Sequence, residues 1–366
     1  MEIDRRTFLS MSALAGSMLG WPTLAQAAPA IRQFRASLGS PILTSNNCYF
    51  WLGMHPKLNY YLEEGLIAQW RGVQSQTQAL GLLANESQEV GGVGPSTLMG
   101  LAARGTRVPL KVAYAHYQRN PYRGITMRGS SIKSWAEVKG KKIGLISLGQ
   151  LSTKWYAEAA AREAGVDPKD ISFVPVGVNA TAGIALKSGE IDVYVSFHNH
   201  TARIAHLGFD VVSMPRPAFA EHSFDGGMTV NSHFLAKKEN KSALGGFFRA
   251  AAKGEVFAFA NPKAAIEIHY DMFPAALPKG IPYDKAVEAA TNEFKLISPD
   301  LYVENTKKNM YGWMTKEKWE TIAYDIMQLK RGSIPPVTEF YTTELLAKAN
   351  DFDRKAIQQQ AKTFKL

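Results

Sequence analysis

Ser131-Ile132-Lys133-Ser134-Trp135-Ala136-Glu137-Val138-Lys139-Gly140-Lys141-Lys142-Ile143-Gly144 leads into the stretch that decides the fold. Ser134 and Glu137 stand in Ser-x-x-Glu spacing, the capping box in which a hydroxyl and a carboxylate satisfy backbone N–H groups that a helix start leaves free. Lys142–Ile146 then reads as a strand. Leu151–Ala164 reads as a helix stopped by Gly165, and Asp167-Pro168 as a turn. Ile171–Val176 is the next strand. A strand, a helix and a strand of these lengths make a right-handed crossover between parallel neighbours, so the fold class is α/β.

The same alternation extends both ways. Upstream, strands are expected over Ile31–Leu38, Ile67–Val73, Val90–Gly94 and Val108–His116, the last with Leu110, Val112 and Tyr114 on one face. Between them lie helices at His55–Glu64, Ser75–Asn85 and Ser96–Arg104, where Pro95 takes the favoured first-turn position. Gly124–Met127 is a further strand. Downstream come a helix at Thr181–Ser188, a strand at Ile191–Phe197, a helix at Thr201–Gly208 and a strand at Phe209–Ser213. Beyond Phe224 the chain crosses back through Gly226-Gly227 and turns mainly helical. Asn261-Pro262 and Thr315 mark helix starts, and Pro335-Pro336 marks a break.

Three ordered segments carry a family resemblance: the opening stretch, Ala164-Gly165-Val166-Asp167-Pro168-Lys169-Asp170, and Leu186-Lys187-Ser188-Gly189-Glu190-Ile191-Asp192-Val193. Gly91-Gly92-Val93-Gly94-Pro95-Ser96-Thr97 joins them as a strand-to-helix loop. Together they resemble the solute-binding proteins of ATP-binding-cassette importers, of the nitrate/sulfonate/taurine and thiamine-pyrimidine type. The resemblance spans most of residues 31–270. It implies a two-lobed periplasmic binding protein (type II) fold, with mostly parallel sheets flanked by helices and a helical C-terminal region. It also implies a soluble monomer that carries a small ligand to a membrane permease and its ATPase. Where the family often has Gly-Ser after the Ile143–Ile146 strand, this chain reads Leu148-Gly149-Gln150-Leu151-Ser152-Thr153. The lone Cys48 departs from the cysteine cluster of eukaryotic pyrimidine-synthase relatives.

Composition narrows the function classes. One cysteine in 366 residues excludes a disulfide framework and any multi-thiolate metal site. Lys and Arg number 42 against 32 Asp and Glu, a net +10. The basic residues are scattered, with no block and no aromatic-interleaved stripe, so a nucleic-acid partner is not expected. Residues 1–27 read as a twin-arginine-type signal peptide: Arg5-Arg6 before Phe8-Leu9, a short apolar run, then Ala25-Gln26-Ala27. The expected location is the periplasm.

Open α/β sheets bind ligands at the carboxyl ends of their strands. The chain leaves the first lobe near Asn120-Pro121-Tyr122 and returns near Gly226-Gly227, which gives lobe one as 31–119 and 229–366, and lobe two as 120–228. Residues just after strands are therefore the candidates. Asn47 and Tyr49, with Asn46 and Trp51, follow the first strand, and the aromatics serve either stacking or the core. Ser96 and Thr97 open a helix whose free N–H groups either bind an anion or are simply capped. Ser152 and Thr153 offer the same on lobe two. Tyr114 and His116 end a strand and suit ring stacking. Asn179, Ser196, His198 and Asn199 complete the expected cleft. His198, His200 and His206 suggest a metal only weakly, since strand neighbours face opposite ways and no carboxylate clusters with them. No catalytic constellation, metal site or cofactor is expected. The expected ligand is a small organic anion, aromatic or heteroaromatic, with alkyl sulfonate and pyrimidine as alternatives. The runner-up class is an exported enzyme acting on a small molecule.

Overall fold

The computed structural model describes residues 31–39, 43–301 and 309–366, and the expected signal segment at 1–27 lies outside them. Ten strands form two five-stranded sheets. The strands are β1 (Arg32–Leu38), β2 (Leu66–Gly72), β3 (Val90–Gly92), β4 (Leu110–Ala115), β5 (Tyr122–Met127), β6 (Lys142–Leu145), β7 (Ser172–Pro175), β8 (Val193–Phe197), β9 (Val211–Ser213) and β10 (Gly227–Asn231). The first sheet runs β2-β1-β3-β10-β4 and the second β7-β6-β8-β5-β9. Each sheet is parallel apart from one strand. β10 is antiparallel to β3 and β4, and β5 is antiparallel to β8 and β9. These are the strands that begin just after the chain passes from one sheet to the other. The mixed character thus comes from the crossings, and the βαβ units remain parallel.

The helices are α1 (Tyr60–Glu63), α2 (Gln76–Ala84), α3 (Pro95–Ala103), α4 (Leu151–Glu163), α5 (Ala180–Ser188), α6 (His198–His206), α7 (Ser232–Ala236), α8 (Lys238–Ala260), α9 (Pro262–Met272), α10 (Tyr283–Leu301), α11 (Lys316–Glu320), α12 (Leu346–Ala349) and α13 (Arg354–Thr363). The helix expected over His55–Glu64 shrinks to α1, preceded by 3₁₀ turns at Ser45–Phe50 and Leu52–Met54. Thr201–Gly208 becomes α6, beginning three residues earlier at His198.

Local chemistry fixes the ends. The Ser134/Glu137 capping box forms, with the Glu137 carboxylate accepting from the Ser134 N–H at 2.8 Å. Asn261 caps α9 by accepting from the Ala264 N–H. β2 shows the period-two burial of a half-covered strand, with Leu66, Ala68 and Trp70 inward.

β4 departs from its expected alternation. Met228 pairs with Tyr114 but Thr229 with Val112, so Ala113 is the extra residue of a β-bulge. Leu110 and Val112 therefore enter the core that holds Leu98 and Trp319. Ala113 and Tyr114 turn to the other face, into the core beneath α8.

The C-terminal helices cover that second core. α8, α9 and α10 pack Phe247, Phe248, Ile266 and Phe294 over the β1 residues Phe34 and Ala36. Gly254 of α8 is required there, because a Cβ would overlap the Tyr49 carbonyl oxygen.

Candidate functional site

A cavity of about 140 Å³ opens where three chain regions meet. Leu43–Asn46 come from the segment after β1. Asn179 comes from the turn after β7, and Asn199 and Arg203 from α6 after β8. His269 and Tyr270 of α9, Ala276, Pro278 and Glu293 of α10 close the third side. Both sheets thus contribute residues that follow strand carboxyl ends, the position at which α/β folds bind ligands.

Several buried polar atoms of this cavity lack partners. They are the Asn46 Oδ1, the Asn199 Oδ1 and the His269 Nε2. The Trp51 indole N–H donates to the His269 Nδ1 at 3.0 Å, so the His269 proton sits on Nε2 and offers an unused donor. Burial holds the imidazole down at about 4, so it is neutral at pH 7. The Glu293 carboxylate is occupied, by the His206 Nδ1 at 2.7 Å and the Asn46 Nδ2 at 3.4 Å. The Arg203 guanidinium reaches it only at 3.7 Å and is one-third exposed, which leaves its donors available. Unmade hydrogen bonds on buried groups cost about 1–3 kcal/mol each.

Beside the cavity the aromatic centre is tightly filled. His116 packs edge-on to Phe50 and against Tyr117, whose ring meets the His198 ring at 5.2 Å. The His198 Nδ1 lies 2.9 Å from Asp300 Oδ2, and its Nε2 has no partner. Asp300, on α10, also receives Arg123 and, at 2.8 Å, the Arg216 Nη1. Burial alone would push this carboxyl up. The His198 hydrogen bond and the two guanidinium groups outweigh burial and hold it at about 2. Asp300 thereby ties α10 to the second sheet.

The head of α3 is also occupied. The Asp225 carboxylate accepts from the Ser96 N–H at 3.1 Å, from the Ser96 hydroxyl at 2.6 Å and from the Tyr122 hydroxyl at 2.9 Å. Burial pushes Asp225 up, and the Ser96 and Tyr122 donors oppose it. Thr97 instead gives its hydroxyl to Gln76 Oε1 at 2.8 Å.

Of the expected residues, the structure brings Asn179 and Asn199 into the cavity wall. Asn47 lies next to it, donating to the Tyr49 hydroxyl at 3.2 Å. His116 and His198 meet in the centre through Tyr117. Ser152, which accepts from the Gln150 amide, stands beside the Tyr122 hydroxyl.

Other expected residues are turned away from the cavity. Tyr114 is fully buried, stacked on Phe248 at 5.2 Å and donating to Glu255, because the bulge at Ala113 reverses its face. Tyr49 is a core ring against Phe50 and Phe294. Thr153 bonds back to the Gln150 carbonyl, and Ser196 to the His200 ring. The three histidines of α6 separate onto Asp300, Ser196 and Glu293. Among the described residues no group of three or more His, Cys, Asp or Glu gathers to hold a metal.

Sequence reading missed Arg203, His269, Tyr270 and Glu293. The last three lie on helices that no strand-end rule points to. Arg203 carried a usable signal, standing one helical turn after Asn199 and so sharing its face.

No curated protein matches the sequence. Among solved structures, the periplasmic aliphatic sulphonate binding protein SsuA from Escherichia coli superposes with a TM-score of 0.60 at 14% identity, over 85% of this chain and 92% of that one. The alkanesulfonate-binding SsuA from Xanthomonas axonopodis, bound to MOPS, gives 0.59 at 13%, over 85% and 99%. A DszB variant in complex with biphenyl-2-sulfinic acid gives 0.55 at 13%, over 87% and 99%. At these identities the likeness establishes the periplasmic binding protein fold. Residues 54–265 match the family described as NMT1/THI5 like, more than half of the chain, and the protein belongs to that family.

Proposed function

We propose that the chain is the solute-binding protein of an ATP-driven importer, and that it captures a small organic anion with a planar, aromatic or heteroaromatic body. The cavity wall carries this reading. Arg203 offers a guanidinium whose bidentate donors suit a carboxylate or sulfonate. The Tyr270 ring can stack on a planar body, and the unused Asn46, Asn199 and His269 groups can fix its orientation. Relatives of the same fold hold organic acids: MOPS in one case and biphenyl-2-sulfinic acid in another.

Residues 31–119 with 229–366 form one lobe, and 120–228 the other. They close over the ligand about the two crossings, and the monomer then docks on the permease outside the cytoplasm. Among the described residues no helix is long and apolar enough to cross a membrane.

The test is a thermal-shift screen of aromatic carboxylates, aromatic sulfonates, alkyl sulfonates and pyrimidines, followed by calorimetric titration. An aromatic acid should bind, and Arg203→Met should weaken it about tenfold or more. A tight ligand indifferent to Arg203→Met would sink the anion assignment.

A second reading, catalysis on a small molecule, draws on the Asp300–His198 pair with its unused Nε2. Among the described residues no hydroxyl or thiol is paired with that Nε2. Burial pushes the Cys48 thiol far up, which makes it a poor thiolate source. Turnover of the bound acid by purified protein would revive this reading.

A further inference from the structure

We infer that Asn46 and His269 are specificity residues, which select a ligand that carries a carboxamide as well as its acid group. The inference rests on reading the cavity they line as the ligand site, and it leaves the ligand's acid at Arg203.

Two partners fix the polarity of this wall. The Glu293 carboxylate can only accept, so the Asn46 amide must turn its Nδ2 towards it, at 3.4 Å. That leaves the Asn46 Oδ1 as an acceptor without a donor. The Trp51 indole can only donate, so the neutral His269 ring takes that bond on Nδ1 and carries its proton on Nε2, a donor without an acceptor. Both side chains are deeply buried, Asn46 at 5% exposure and His269 at 0%, and both line the cavity. Buried polar groups are seldom left unpaired, so a ligand that fills this place has to bring an N–H donor and an acceptor. A carboxylate or sulfonate brings acceptors alone and leaves Asn46 unmet. A primary carboxamide brings both from one planar group. The charges agree. Arg203 lies 3.7 Å from Glu293, so the wall sets one positive charge against one negative, and a second acid group beside Glu293 would be repelled. Size sets the rest. A cavity of about 140 Å³ has room for one six-membered ring and not two, since a cavity of about 150 Å³ takes benzene. The ligand class is therefore a one-ring aromatic acid with a carboxamide substituent.

The experiment is calorimetric titration of the wild-type chain with benzoate, with 3- and 4-acetylbenzoate, and with 3- and 4-carbamoylbenzoate. The acetyl group keeps the carbonyl and lacks the N–H. The tighter carbamoylbenzoate should bind at least about tenfold more tightly than its acetyl counterpart. Asn46→Leu should erase that gap, and His269→Phe should bring the acetylbenzoates level with benzoate. The wild-type comparison needs no variant, so it decides the matter even where a variant does not fold. Carbamoylbenzoates that do not bind, or bind no more tightly than the acetylbenzoates, overturn the proposal; ordered water then meets both atoms. A gap that survives in folded Asn46→Leu overturns it equally. The proposed function fails on a different result. Benzamide preferred tenfold over acetophenone, with both indifferent to Arg203→Met, would lose the anion and keep this inference. Benzoate held through Arg203 with no preference for a carboxamide would do the reverse.

Discussion

Asn179 shows how a single residue trades order for use. Its backbone sits at φ 56 and ψ −122, a conformation that a residue with a Cβ rarely adopts, and its side chain makes no cap bond to α5. It is also in the cavity wall. Strain of this kind costs about 1–3 kcal/mol and persists where the site needs it. Asn179→Gly should therefore raise the unfolding free energy by about 1 kcal/mol. It should also weaken the aromatic acid by ~5-fold through a lost hydrogen bond. Urea unfolding and calorimetry on the same sample would show the two effects with opposite sign; a loss of both would mean the side chain is structural. Asn179 and Asn199 were readable because they directly follow strands. His269 and Glu293 were not, because only the packing of α9 and α10 against the segment after β1 brings them to the same wall. No local pattern encodes that meeting.

The elements follow their local signals except where one residue shifts a register. The capping box, the Pro95 start of α3 and the Gly165 and Gly189 stops all stand as spaced in the chain, and both glycines adopt positive φ at helix ends. The period-two rule fails in β4, because the bulge at Ala113 inserts one residue against β10 and swings Tyr114 into the core. Nothing in Leu110–Ala115 announces this, as the cause lies in pairing with a strand more than a hundred residues later. α8 gives a sharper case. Ala normally gains about 1 kcal/mol over Gly inside a helix. At Gly254 the Tyr49 carbonyl fills the space of a Cβ, and backbone cannot yield as a flexible side chain can. Steric cost should win. Gly254→Ala is expected to lower stability by about 2 kcal/mol or more, read as a lower urea midpoint at unchanged m-value. A rise in stability would show that α8 can slide away from the 3₁₀ turn at Ser45–Phe50.

At the scale of the whole molecule, buried neutral histidines contribute to the acid response. Burial, with His198 adding to it, lowers His116 to about 3, and burial lowers His269 to about 4, against an ordinary 6.5. Unfolding frees both to take protons, so the unfolded chain binds more protons than the folded one below pH 6.5. Stability should fall as pH drops from 6.5 towards 4, by on the order of 1 kcal/mol per pH unit for each histidine. Asp300, held at about 2, has the depressed-carboxylate sign: its contribution is present above the usual 3.8 and is lost only below it. Glu255 and Asp225, which burial raises above their ordinary values, add a slope of the opposite sign. Urea unfolding at pH 7, 6 and 5 is therefore read as the difference between wild type and His269→Gln, which should lose one histidine's share of the fall in stability; an unchanged slope would mean that His269 does not titrate there. The antiparallel strands β5 and β10 bear on the order in which the chain can assemble. Every strand of the second sheet lies in one uninterrupted run from Tyr122 to Ser213, so that sheet can be completed from near neighbours. In the first sheet β10 sits between β3 and β4, and β4 has no partner strand until residue 227 has left the ribosome. Distant closures of this kind are slow. During synthesis or refolding, amide protons of β6 and β8 should become protected before those of β4, although β4 comes earlier in the chain.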